Sequence, residues 1–166
     1  MYWDFSKSQF CYKKAGEGMN INWYPGHMKK TKESIKKNLS LVDIVYEVID
    51  ARIPFSSRNP DIDIIIGGKP RLIIMNKSDL ADESGNRDWR DYFKNIGLCA
   101  IAADCIMDRG LKDIIDASYI LTRVKMNAMK KKGIKGRPIR AMIIGIPNVG
   151  KSTLINSLSK RKGAKV

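Results

Sequence analysis

Gly145-Ile146-Pro147-Asn148-Val149-Gly150-Lys151-Ser152-Thr153 is the stretch whose reading decides the fold. It has the spacing Gly-x-x-x-x-Gly-Lys-Ser, preceded by an apolar run over residues 139–146 and followed by a helical pattern over residues 150–160. The expected local structure is a strand, a glycine-rich turn and a helix start. Glycines let such a turn curl so that successive backbone N–H groups face a phosphate, and the helix N-terminus adds positive potential. Lys151 supplies a charge for the β and γ phosphates and Ser152 a hydroxyl for Mg²⁺. Asn148, Val149, Gly150, Lys151, Ser152 and Thr153 are thus the expected phosphate-contacting residues, with Ser152 the metal ligand. The alternative is a tight strand-to-helix turn with an exposed lysine.

Working outward, the same alternation recurs. Residues 43–50 (Asp-Ile-Val-Tyr-Glu-Val-Ile-Asp) read as a mostly buried strand, followed by a polar loop to Asn59-Pro60 and a short apolar helix ending at Gly67-Gly68. Residues 71–75 and 98–103 read as strands on either side of a helix over 86–96. Leu111, Ile114, Ile115, Ala117, Ile120, Leu121 and Val124 follow helical spacing in a helix running to about Lys132, and an earlier helix is expected over 29–41. Strands alternating with helices predict an α/β fold, doubly wound, with a mostly parallel sheet and helices on both faces. Residues 1–18 show no periodicity and are expected to be an irregular leader, with Met19 the natural start and 19–166 one domain.

Asn76-Lys77-Ser78-Asp79 directly follows the strand over 71–75, at a carboxyl end, where open α/β sheets bind ligands. A carboxylate at Asp79 accepts two hydrogen bonds from guanine's ring N–H and exocyclic amine, whereas adenine leaves that charge facing an acceptor. Sites demanding such a bond discriminate by roughly four to five orders of magnitude. The expected ligands are therefore GTP and GDP. Lys77 would lie along the base and Asn76 would brace neighbouring loops.

Thirty-one Lys and Arg against 17 Asp and Glu leave a formal charge of +14, which points to a polyanionic partner, nucleic acid first. The three cysteines, Cys11, Cys99 and Cys105, contain no Cys-x-x-Cys pair and fit a reducing cytoplasm better than a disulfide framework. No apolar run approaches the roughly 18 to 20 residues of a membrane span, so no membrane partner is expected.

The guanine reader stands ahead of the phosphate loop, the reverse of the order in ordinary small GTPases. The chain in this respect resembles the circularly permuted GTPases. Trp23-Tyr24-Pro25-Gly26-His27-Met28, Asp50-Ala51-Arg52-Ile53-Pro54 and the phosphate loop are similar to the bacterial ribosome biogenesis GTPase A family (YlqF/RbgA), over about residues 21–166. The resemblance implies a P-loop G domain that binds a large ribosomal subunit precursor and its rRNA and hydrolyses GTP as a checkpoint for release. Residues 29–37, 123–140 and 160–165 are the basic runs suited to RNA phosphates. A monomer is expected.

The same resemblance implies that His27, the single histidine, positions the attacking water, and that Asn148 helps hold K⁺ near the phosphates. The family's second guanine-contacting loop falls on Ala103-Asp104-Cys105, whose text departs from the usual Ser-Ala or Asn-Ser. A backbone N–H there still serves, and Cys105 is otherwise a small half-buried residue. Relative to the family, the sequence to Val166 holds neither the switch threonine, nor the Asp-x-x-Gly aspartate, nor the helical C-terminal domain. The expectation is an incomplete copy of a longer GTPase, with an apolar edge beside the strand ending at Ile146. A non-catalytic RNA-binding fragment with a nucleotide pocket is the alternative, and a generic P-loop ATPase requires Asp79 to be coincidental.

Overall fold

A computed structural model describes residues 33–59, 61–134 and 136–163. Four strands, β1 (Ile44–Asp50), β2 (Arg71–Asn76), β3 (Cys99–Ala103) and β4 (Ala141–Ile144), form one sheet in the order β3-β2-β1-β4. Every pairing is parallel. The helices are α1 (residues 33–39), α2 (Asp61–Ile66), α3 (Glu83–Asn95), α4 (Leu111–Lys131) and α5 (Lys151–Gly163).

Side chains alternate across a strand, and β1 is buried along its whole length, so its two faces serve two cores. Ile44, Tyr46 and Val48 face a cluster completed by Leu111 and Ile114 of α4 and Leu154 of α5. Val45 faces the opposite side, against Ile35 of α1 and Ile62 and Ile65 of α2. Ile49 joins Ile73, Met75 and Phe93 of α3 on that second side. Each such aliphatic or aromatic side chain contributes about 1.5–3 kcal/mol when fully buried, so this two-sided burial accounts for helices on both faces.

Several boundaries differ from the sequence expectation, those of α3 and β4 for local reasons. Helix α3 begins three residues early because Asp82 caps it, its carboxylate accepting from Gly85 N at 2.8 Å. Gly85, a poor helix former, had masked this start. Strand β4 is shorter at both ends than residues 139–146: Pro138 has no N–H to offer, and Gly145 already turns away toward the phosphate loop. Among the described residues β4 pairs with β1 alone, so it is the edge where the sequence placed one. The described part of the expected 29–41 helix is α1; residues 29–32 lie outside the described residues.

Glu47 is a charged residue in the middle of this buried strand, 1% exposed. Arg58 Nε lies 3.0 Å and Arg71 Nη1 3.2 Å from its carboxylate, and Asp63 links the two arginines from outside. Burial still prevails and raises the Glu47 carboxyl above its ordinary value, against the charge of Arg58. Arg58 also stacks over Phe93 at 5.7 Å, joining the loop after β1 to α3.

Candidate functional site

The parallel register brings Asp50 of β1 beside Asn76 of β2, and Asn76 beside Ala103 of β3. The loops leaving these strands therefore meet at one end of the sheet, together with the loop leaving β4.

The β4 loop is set by two glycines. A Cβ on Gly145 would collide with the Val48 carbonyl, and one on Gly150, whose φ is +94°, would collide with the Asn76 side-chain amide. Asn148 takes φ +64° and is exposed, while Val149 is buried and joins the core under α4 and α5. Lys151 is 4% exposed and its Nζ donates to Ile146 O at 2.8 Å, so the ammonium curls back over its own loop. Ser152 is exposed and Thr153 half-buried on the first turn of α5. The first N–H groups of a helix have no intrahelical acceptor, and here that turn opens on the strand ends.

Asn76 ties the loops together. Its Nδ2 donates to Val149 O at 2.8 Å and its Oδ1 accepts from Cys105 N at 3.1 Å. Lys77, in the left-handed conformation (φ +61°), donates from Nζ to Asn148 O at 2.7 Å and to Asp50 Oδ2 at 3.0 Å. Ser78 and Asp79 follow in a short 3₁₀ turn, Ser78–Leu80, whose Ser78 carbonyl accepts from Asn86 Nδ2 at 3.1 Å. Asp79 is exposed on this turn; Arg52 holds its proton more firmly through its hydrogen bond to Asp50 and the charge of Asp50, to which the charge of Asp79 adds a smaller part. An exposed carboxylate on a braced turn can accept a paired N–H edge.

Sequence reasoning quoted Asp50 and Arg52 without giving either a task. Asp50 accepts from Arg52 Nε at 2.9 Å, Nη2 at 2.7 Å and backbone N at 3.1 Å, besides Lys77. Hydrogen bonds from Arg52, then from Lys77, hold its carboxyl far below the usual carboxylate range against the cost of burial. The signal was available: an acid directly after a buried run must have partners. Asn86, read only as a helix start, and Ser157 were also missed. Ser157 Oγ donates to Cys105 O at 2.7 Å and so joins α5 to the β3 loop.

Asp104 and Cys105 reach the same end but are engaged with protein. Asp104 Oδ1 accepts from Ile106 N at 3.0 Å and Met107 N at 3.1 Å, fixing its own turn. Cys105 is 1% exposed, not half-buried, and burial, then the charges of Asp104 and Asp108, push its thiol up to about 12. Its N–H is the one held by Asn76. His27 lies outside the described residues. Of the expected site residues, Asn76, Lys77, Asn148, Val149, Gly150 and Cys105 are thus joined by contacts, and Ser78, Asp79, Asp104, Lys151, Ser152 and Thr153 belong to the same loops and first helical turn.

The sequence pattern of the family described as 50S ribosome-binding GTPase matches residues 140–166. The chain is 52% identical over 148 residues to ribosome biogenesis GTPase A of Priestia megaterium, covering 89% of this chain and 51% of that protein. It is 36% identical over 152 residues to mitochondrial ribosome-associated GTPase 1 of Mus musculus, covering 91% and 45%. Among solved structures, GDP-bound YlqF matches with 34% identity and a TM-score of 0.54, covering 80% of this chain and 49% of that one. GNP-bound YlqF from T. maritima gives the same identity and score, with 82% and 49% covered. The chain spans about half the length of the curated relatives it matches.

Proposed function

We propose, from the premise that in the matched segment this chain is a member of the ribosome biogenesis GTPase A family, that it binds GTP and GDP and that the longer protein hydrolyses GTP during large-subunit assembly. One observation carries the reading. The base reader and the phosphate loop are physically joined, by Lys77 to Asn148 and by Asn76 to Val149. A surface loop that held Asn-Lys-Ser-Asp by coincidence would have no reason to be braced against a phosphate loop.

The residues present fit a Mg²⁺-nucleotide. Gly150 brings the loop so close to Asn76 that no side chain fits between them, and Ser152 is an exposed residue on the turn that follows. Mg²⁺, when bound beside Ser152, supplies charge neutralisation on the phosphate oxygens. Around it, the loop N–H groups and Lys151 orient the phosphates, and Asp79 selects guanine. Asn148 is the proposed side chain for K⁺. His27 is the proposed water-positioning residue, since phosphoryl transfer depends chiefly on alignment and charge stabilisation. Residues 19–166 are proposed to form the permuted domain behind the 1–18 leader, acting as a monomer in the cytoplasm. The partner is a large-subunit precursor and its rRNA, a reading supported by the +14 charge.

Titration with fluorescent GDP and ADP tests the reading. GDP is expected to bind tighter by several orders of magnitude. Tighter binding of ADP would sink it. The variant Asp79→Asn is expected to move preference from guanine toward xanthine nucleotides.

A further inference from the structure

The opposite end of the sheet, where the strands begin, carries a second constellation. Asp43, immediately before β1, is fully buried, yet its carboxylate faces Lys125 Nζ at 2.6 Å and Arg137 Nη2 at 3.0 Å, and accepts from Arg140 N at 2.9 Å. The neighbouring Val42 carbonyl accepts from Lys69 Nζ at 3.0 Å and Lys125 Nζ at 3.3 Å. Lys69 precedes β2, Arg137 and Arg140 precede β4, and Lys125 lies in the second half of α4. Three segments distant in sequence thus deliver Lys69, Lys125 and Arg137 to one carboxylate and one carbonyl.

The charges do not balance, because three cations answer to a single anion. Two ammonium groups sharing one carbonyl oxygen repel each other, and Lys69 registers it: burial, then the charge of Lys125, lower its proton affinity. A carbonyl has two lone pairs, and both cations already use Val42 O, whereas an ammonium has three N–H donors. The Lys69 ammonium makes no other hydrogen bond among the described residues, and the residue is only partly buried. Lys125 is 36% and Arg137 22% exposed at the side chain, so all three cations are within reach of solvent. No acidic residue occurs from Ala117 to Arg140, so the surrounding field adds to the excess rather than cancelling it.

We propose that this cluster at the strand starts is an RNA-docking site, in which Lys69, Lys125 and Arg137 bind consecutive phosphates of an RNA backbone. A phosphodiester supplies the missing anionic oxygens and relieves the repulsion between the lysines. Asp43 and Val42 O keep the cations extended in advance, so less side-chain entropy is lost on binding than at free surface lysines. Strand β1 has seven residues and spans about 20 Å, so the RNA site and the nucleotide loops lie on opposite ends of the sheet and are occupied together. The recognition is of backbone, not sequence.

This site rests on the proposed RNA partner, and one experiment separates the two. Binding of the full chain to an unstructured ribosomal RNA fragment is measured over a range of salt, for the wild type, for Lys69→Gln/Lys125→Gln, and for the control Arg87→Gln/Arg90→Gln on α3. Each lost phosphate contact removes about 0.7 from the slope of log affinity against log salt. The first variant is expected to lose about 1.4, to keep its GDP affinity, and to recover the slope as Lys69→Arg/Lys125→Arg; the control is expected to lose little. An unchanged slope, or an equal loss in the control, would overturn the site while leaving the RNA partner standing. Absence of wild-type binding would overturn both.

Discussion

Lys77 and Asp50 form an ion pair at 3.0 Å whose ammonium reaches on to the phosphate loop, 2.7 Å from Asn148 O. The base-reading segment therefore ties the end of β1 to the phosphate loop. In Lys77→Met that brace is gone and Asp50 keeps only Arg52. Hydrogen bonds involving a charged group contribute about 1.5–3 kcal/mol. GDP affinity is expected to fall by about one to two orders of magnitude. The loss should be equal for GDP with Asp79 present and for xanthosine diphosphate in the Asp79→Asn background, because the lost contacts of Lys77 are to the loop and to Asp50 while position 79 reads the base; fluorescence titration of both backgrounds checks this.

Gly150 and Gly133 both have positive φ, but only Gly150 has a neighbour, the Asn76 amide, where a Cβ would stand. Gly133→Ala should cost about 1 kcal/mol from backbone strain. Gly150→Ala should cost more and abolish measurable nucleotide binding, since Asn76 must move. Urea denaturation beside GDP titration separates the two substitutions.

Acid should unfold the protein by a definable route. Asp50 is held below its ordinary value by Arg52 and Lys77. At Asp43, burial acts upward but is outweighed by Lys125 and the Arg140 N–H. Their contribution is complete above the unfolded value near 3.8 and is lost as pH falls through the depressed folded values. Denaturation midpoints should therefore drop steadily below about pH 4. Asp50→Asn should flatten that dependence while lowering stability at neutral pH, and a midpoint series from pH 7 to acid tests both signs.

Cys105 is buried with its thiol pushed up to about 12, so almost no thiolate exists at neutral pH. Alkylation at pH 8 followed by peptide mapping should find Cys105 unmodified in the native protein and modified in urea. Modification in native buffer would mean that the β3 loop opens readily.

The elements were legible because their patterns are local. The apolar runs of β1 and β2, the spacing of Leu111 and Ile114 in α4 and the glycine spacing of the phosphate loop each encode geometry within a few residues. What escaped notice was non-local. Asn76 was expected to brace neighbouring loops, and it does, but nothing near it announces that its two amide ends will meet Val149 and Cys105, and nothing near Lys69 announces Lys125. Glu47 was read simply as part of a mostly buried strand, since the arginines that solvate it lie 11 and 24 residues away. Asp82 is the opposite case, a local cap hidden by the glycine it binds.

The orientation of the Asn76 carboxamide has a further meaning. From Cys105 N–H through the Asn76 amide to the Val149 carbonyl, the dipoles run head to tail, and each bond polarises the next. The three loops share a direction as well as a contact. An aspartate at position 76 would keep the shape and oppose one acceptor to another at Val149, so the site depends on the polarity of a single amide plane.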